Sequence, residues 1–212
     1  MRLNGWWVPA GKSSGVVLFC HGNGGNISFL IQTVEIYNSL ELDVFVFDYR
    51  GYGRSDGVPS EDGTYRDVEA AWNYLTGVRK IEAGKIVVVG RSLGGAIAAW
   101  LCTVRTPRAL VLESTFTRAA DVANFHYPLA PGMILFGDTY DTAARLALVQ
   151  CPVLVIHSPE DEIVPYELGK KLFGISPEPK EMLVIHGPHN TGFMMSAGQY
   201  ASAIEQFLRK HR

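Results

Sequence analysis

The chain has 212 residues, long enough for one domain with a substantial core by the rough prior of about 100–200 residues per domain. Apolar residues make up 47% and charged residues 19%, which excludes disorder. A formal net charge of −2 without long runs of one sign favours neither nucleic acid nor an anionic membrane as partner. The cysteines, Cys20, Cys102 and Cys151, lie far apart and form no CxxC or Cys/His cluster. They read as buried free thiols in a reducing, cytoplasmic compartment, with no zinc or redox motif. The opening Met1–Trp7 lacks the apolar stretch of a signal peptide, and no run approaches the ~20 apolar residues that span a bilayer.

In chain order, Leu3–Val8 is a possible first strand. Val16–Cys20, Val44–Asp48, Ile86–Gly90, Ala109–Glu113, Val153–His157 and Met182–His186 follow as short runs rich in Val, Ile and Leu. They lack strict alternation, as strands covered on both faces should. Helical patterns separate them. In Thr64–Thr76, Tyr65, Val68, Ala71, Trp72 and Leu75 recur at helical spacing, with Thr64 and Asp67 resembling a capping box and Gly77 as a stop. The last stretch puts Tyr200, Ala203, Ile204, Phe207 and Leu208 on one helix face. This alternation predicts an α/β fold: a mostly parallel sheet wrapped on both sides, forming a single domain over residues 1–212.

One stretch breaks the rhythm. Residues 116–150 hold no strand pattern, and Pro128–Phe136 is apolar and punctuated by proline. A small cap over the ligand-binding end of the sheet is expected there, with Leu129, Met133, Ile134, Leu135 and Phe136 lining a pocket for an apolar acyl group.

Gly90-Arg91-Ser92-Leu93-Gly94 is a G-x-S-x-G motif between the strand run Ile86–Val89 and the helical run Gly95–Leu101. A serine on such a turn is exposed at the sheet end, and only small neighbours fit around it. The helix start behind it favours developing negative charge. This strand–turn–helix elbow resembles the nucleophile elbow of the α/β-hydrolase superfamily. The resemblance implies Ser92 as nucleophile, followed in chain order by an Asp or Glu and then a His. It also implies an oxyanion hole from the backbone N–H of Leu93 and an N–H of an earlier loop. Phe19–Asn26, with glycines at 22, 24 and 25, is that loop, and Asn23 is assigned the second donor.

The acid is sought just past a late strand. Ser158–Pro165 carries Glu160, Asp161 and Glu162; Asp161 is favoured for its short carboxylate before the apolar Ile163-Val164, and Glu113 is the backup. The base should follow the last strand, which points to His189 in Gly187-Pro188-His189-Asn190. His186 is assigned to the strand itself. His126 and His157 come before that strand, and His21 and His211 are excluded by position. Such a triad needs no metal or organic cofactor.

Finer motifs are similar to one branch of small serine hydrolases. They are His21–Asn26, Asp48–Ser55, Cys151–His157 and Gly187–Asn190. That branch includes bacterial proteins of unassigned substrate and eukaryotic α/β-hydrolase-domain proteins, some of which remove fatty acyl groups from cysteine. Its members usually carry an N-terminal extension, often with a membrane anchor; none is read in residues 1–212, and the resemblance leaves a native extension of that kind open. The fold commonly has eight strands against the six runs plus Leu3–Val8 counted here, so a leading strand is expected to be missing. Asp48–Ser55 is expected to be structural. The expected activity is hydrolysis of a small or medium acyl ester or thioester. A serine peptidase or amidase, and a silent hydrolase fold that only binds a partner, are the alternatives.

Overall fold

The structure, a computed structural model, describes residues 1–129 and 139–211. Seven strands form one sheet: β1 Gly5–Val8, β2 Gly15–Cys20, β3 Leu42–Phe47, β4 Ile86–Arg91, β5 Ala109–Glu113, β6 Val153–His157 and β7 Lys180–Val184. Their spatial order is β1-β3-β2-β4-β5-β6-β7. β1 runs antiparallel to β3 at one edge, and every other neighbouring pair is parallel.

Both faces of the central strands are buried, which is why their sequences do not alternate. Val16, Leu18, Val88, Leu110 and Val155 belong to one apolar cluster, with Val68, Trp72, Ile97 and Leu101 from the helices on that side. Val17, Phe19, Val89, Val111 and Ile156 face the other way, against Val34, Tyr37, Ile204 and Phe207. Each fully buried aliphatic side chain contributes roughly 1.5–3 kcal/mol of transfer free energy. The helices that matter for the site are α1 Ile31–Ser39, entered through the 3₁₀ turn Ile27–Leu30, α2 Glu61–Asn73 and α3 Leu93–Val104. They are followed by α4 Ala119–His126, α5 Thr142–Leu146, α6 Tyr166–Ile175, the single turn α7 Gly192–Met195 and α8 Ala197–Lys210. No helix among the described residues is long and apolar enough to cross a membrane.

Three sequence expectations need correction. α2 begins at Glu61, and its N-cap is Ser60, whose Oγ accepts from Gly63 N at 3.2 Å. Asp67 plays no capping part. It is buried and takes Arg50 in a salt bridge at 2.8 Å, a long-range demand that outranks a local cap pattern. β7 ends at Val184, so His186 stands in the loop and not in the strand. Within residues 116–150 the described part holds α4 and α5 and no strand. Leu129 is 98% exposed and lines nothing, while Met133, Ile134, Leu135 and Phe136 lie outside the described residues.

Candidate active site

The site lies at the carboxyl ends of the parallel strands, where β4 turns into α3. Ser92 occupies that turn with φ 54° and ψ −122°, a left-handed conformation that costs a non-glycine residue strain. The turn is over-determined by its surroundings. Ser92 N donates to Glu113 O at 2.9 Å, and Ser92 O accepts from Gly95 N at 2.9 Å and from Thr115 Oγ1 at 2.6 Å. A Cβ on Gly94 would run into the Cys20 carbonyl, and one on Gly90 into the carbonyl of Gly94. Glycine is therefore required by close backbone approach at both ends of the motif.

Leu93 opens α3, so its N–H lies in the first turn, where no intrahelical acceptor exists. Across from it runs the loop after β2. His21 is buried and stacks on Tyr49 with ring centroids 4.3 Å apart, its Nδ1 2.7 Å from Gly22 O. Burial lowers its pKa, against opposing effects from Gly22 and Asp48, so the ring is held neutral as a structural piece. Tyr49 OH donates to His21 O at 3.0 Å, and Tyr52 OH donates to Asn23 Oδ1 at 2.6 Å. Asp48 accepts from Ile27 N at 3.0 Å and from Asn4 Nδ2 at 3.0 Å. The Asp48–Ser55 segment thus braces the glycine loop.

On the far side, β6 delivers the acidic turn and β7 the histidine loop. His189 Nδ1 lies 2.7 Å from Asp161 Oδ2, both residues being buried. Asp161 Oδ1 accepts from Ile163 N at 3.0 Å and Val164 N at 2.7 Å. His157, fully buried beneath it, sets Nε2 3.0 Å from Val164 O and 3.4 Å from Asp161 Oδ2. Burial alone would raise the Asp161 pKa. The bonds from His157 and His189, the imidazole charge and the Val164 N–H outweigh it and hold the carboxyl well below the usual carboxylate range. Asp161 is therefore anionic at neutral pH. Its neighbours grip the same loop: Glu162 Oε2 accepts from His189 N at 3.0 Å. Glu160 takes Gly187 N at 3.0 Å and the His186 Nδ1 at 3.1 Å. All three acids of one turn hold the 186–189 loop.

Ser92, His189 and Asn23 line one cavity of about 570 Å³, whose apolar walls are Phe29, Leu30, Ile163, Phe193 and Met194. The hydrogen bonds of His189 among the described residues go to Asp161 and Glu162, and none joins it to Ser92 Oγ. Glu113, the backup acid, is committed elsewhere. It receives Arg91 Nε at 2.7 Å and Nη2 at 3.2 Å, and Tyr200 OH at 2.8 Å. Among the described residues no group of His, Cys, Asp and Glu is arranged to hold a metal ion.

The family model described as the alpha/beta hydrolase fold matches residues 15–141. The chain belongs to the α/β-hydrolase family. An uncharacterized protein of Mycobacterium tuberculosis is 41% identical over 211 residues, covering 98% of this chain and 75% of that relative. The lysophosphatidylserine lipase ABHD12 of Danio rerio is 32% identical over 198 residues, which is 84% of this chain and 51% of that protein. Among solved structures, Est1E from Butyrivibrio proteoclasticus with ferulic acid bound superposes with a TM-score of 0.82 at 18% identity. That match covers 99% of this chain and 95% of Est1E, and it speaks for the fold alone. As an α/β hydrolase the chain is a hydrolase. The elements that sequence reading missed in this hydrolase are the grips of Glu160 and Glu162, the support of Asp161 by His157, and the Arg91–Glu113 pair. The pairing of Arg91 with Glu113 across β4 and β5 follows from strand register, which a linear reading does not supply.

Proposed function

We propose that this hydrolase cleaves carboxylic esters or thioesters through Ser92, His189 and Asp161. The observation that carries the reading is the 2.7 Å Asp161–His189 contact opening on the same cavity as the strained Ser92. With Nδ1 donating to the anionic Asp161, His189 keeps its Nε2 lone pair for the Ser92 proton. Ser92 Oγ attacks the acyl carbon, and the carbonyl oxygen gathers charge toward the N–H groups of Leu93 and Asn23. Collapse of that intermediate expels the alcohol or thiol, protonated by His189. Water activated by the same imidazole then releases the acid. Catalytic hydrogen bonds commonly tighten only when substrate binds, so the missing Ser92–His189 bond does not count against this pair.

The cavity walls, with Phe29, Leu30, Phe193 and Met194, favour an apolar group of modest length. Each buried methylene is worth ~0.8 kcal/mol, about three- to fourfold in kcat/KM. The name of one relative, a lysophosphatidylserine lipase, favours esters over amides. Three buried free cysteines suit a reducing, cytoplasmic setting. Turnover of 4-nitrophenyl butyrate, abolished in Ser92→Ala, is the expected result, with aminoacyl anilides left intact. Anilide cleavage without ester turnover makes the protein an amidase, and no turnover of either leaves a binding protein.

A further inference from the structure

Arg91 lies one residue before the nucleophile and is 9% exposed. It is the sole permanently charged side chain among the described residues lining the Ser92 cavity, and no Asp or Glu lines that cavity. A guanidinium carries its five N–H donors in a rigid plane. Nε and Nη2 are spent on Glu113. Nη1 has no partner among the described residues and is not sealed off as a buried polar atom, and Arg91 is one of the residues lining the cavity. The group is held still. Its central carbon lies 3.8 Å from the Phe193 ring centroid and 5.3 Å from that of Phe19. Glu113 is fixed in turn by Tyr200, whose hydroxyl meets that of Tyr37 at 2.9 Å.

Binding β4 to β5 needs only the Glu113 edge of the arginine. The opposite edge is a preset, partly desolvated donor at a cavity lined by no other permanently charged side chain among the described residues. We propose that this edge holds an anionic oxygen of the substrate, so that the preferred esters carry a carboxylate or comparable anion within reach of Ser92. Glu113 does not cancel this role. Its carboxylate sits across the guanidinium, farther from a ligand on Nη1 than the cation is, so attraction exceeds repulsion. The rigid geometry also spares the ligand the entropy of ordering the arginine.

The inference rests on Ser92 being the hydrolytic nucleophile, and the test separates the two claims. One series compares 4-nitrophenyl monoesters of adipic and suberic acid with 4-nitrophenyl heptanoate and nonanoate. A second compares the butyrate esters of 4-hydroxybenzoate and 4-methylphenol. The quantity read is the carboxylate-to-neutral ratio of kcat/KM, each enzyme serving as its own reference. In at least one series that ratio should be about tenfold higher in the native protein than in Arg91→Met/Glu113→Gln, as expected for one charge-assisted hydrogen bond. Arg91→Lys, which keeps a partner for Glu113 but loses the free edge, should lower it too and stands in if the double variant does not fold. A ratio equal in native and variant proteins in both series overturns the inference while leaving the hydrolase reading intact. If no ester is turned over, calorimetric titration with suberate decides the matter. Binding weakened in Arg91→Lys upholds the anion site, and binding that is absent or unaltered overturns it.

Discussion

Ser92 and His189, the proposed nucleophile and base, are held by opposite means. Ser92 is fixed by backbone: a positive φ, a carbonyl bonded to Gly95 and Thr115, and glycines at 90 and 94 where no Cβ fits. His189 stands in a loop and is fixed by side chains. Asp161 takes its ring and Glu162 its amide, from a turn 28 and 27 residues earlier. Backbone constraint tolerates no added atom and leans on a single side chain, the Thr115 hydroxyl. Side-chain constraint survives small changes of shape but depends on each carboxylate. The first is written in five adjacent residues, and the second exists only after folding.

The sharpest break comes at Asp161. Asp161→Asn should lower kcat by about 10⁴-fold, because an amide cannot stabilise the imidazolium and can impose the wrong tautomer. Glu113→Gln should act far less on kcat, since Glu113 serves Arg91 and Tyr200; a larger loss there would move the acid to β5. Steady-state kinetics on both variants, with circular dichroism to check folding, decides between them. At the elbow, Gly94→Ala should cost about a hundredfold or more in activity and lower the thermal midpoint, because its Cβ meets the Cys20 carbonyl and overpacking costs about 1–3 kcal/mol. Near-native activity and melting would show that the elbow is looser than its contacts imply. The smallest effect belongs to the clamp. Glu162→Ala should lower kcat about tenfold with KM little changed, and Glu162→Gln should recover most of it, because the amide oxygen can still accept from His189 N. Equal losses in the two variants would mean that charge, not position, is what Glu162 supplies.

How far the site could be read from the sequence follows the same division. The elbow and the glycine loop are local patterns, and the structure sets them facing one cavity. The five inner strands, β2 to β6, were legible from their Val, Ile and Leu runs because burial on both faces removes polar residues from the pattern. Asp161 could be picked from its acidic turn, but the separate duties of Glu160 and Glu162 depend on where the 186–189 loop docks. β7 ends earlier than its apolar run, since Ile185 is buried after the ladder has closed. The start of α2 was misplaced for a related reason. Asp67 looks like a capping residue in sequence, whereas Arg50, distant in the chain, claims it in the fold. Leu129 points to solvent, and the apolar walls among the described residues come from the segments that carry Asn23, Asp161 and His189.

The central claim, that Ser92 is the activated nucleophile, is tested most directly by covalent labelling. The protein is treated with a fluorophosphonate and the adduct is mapped by peptide mass spectrometry. A single adduct on Ser92, absent from Ser92→Ala and strongly slowed in Asp161→Asn, is the predicted result. An adduct on another serine, or undiminished labelling of Ser92→Ala, would contradict the account.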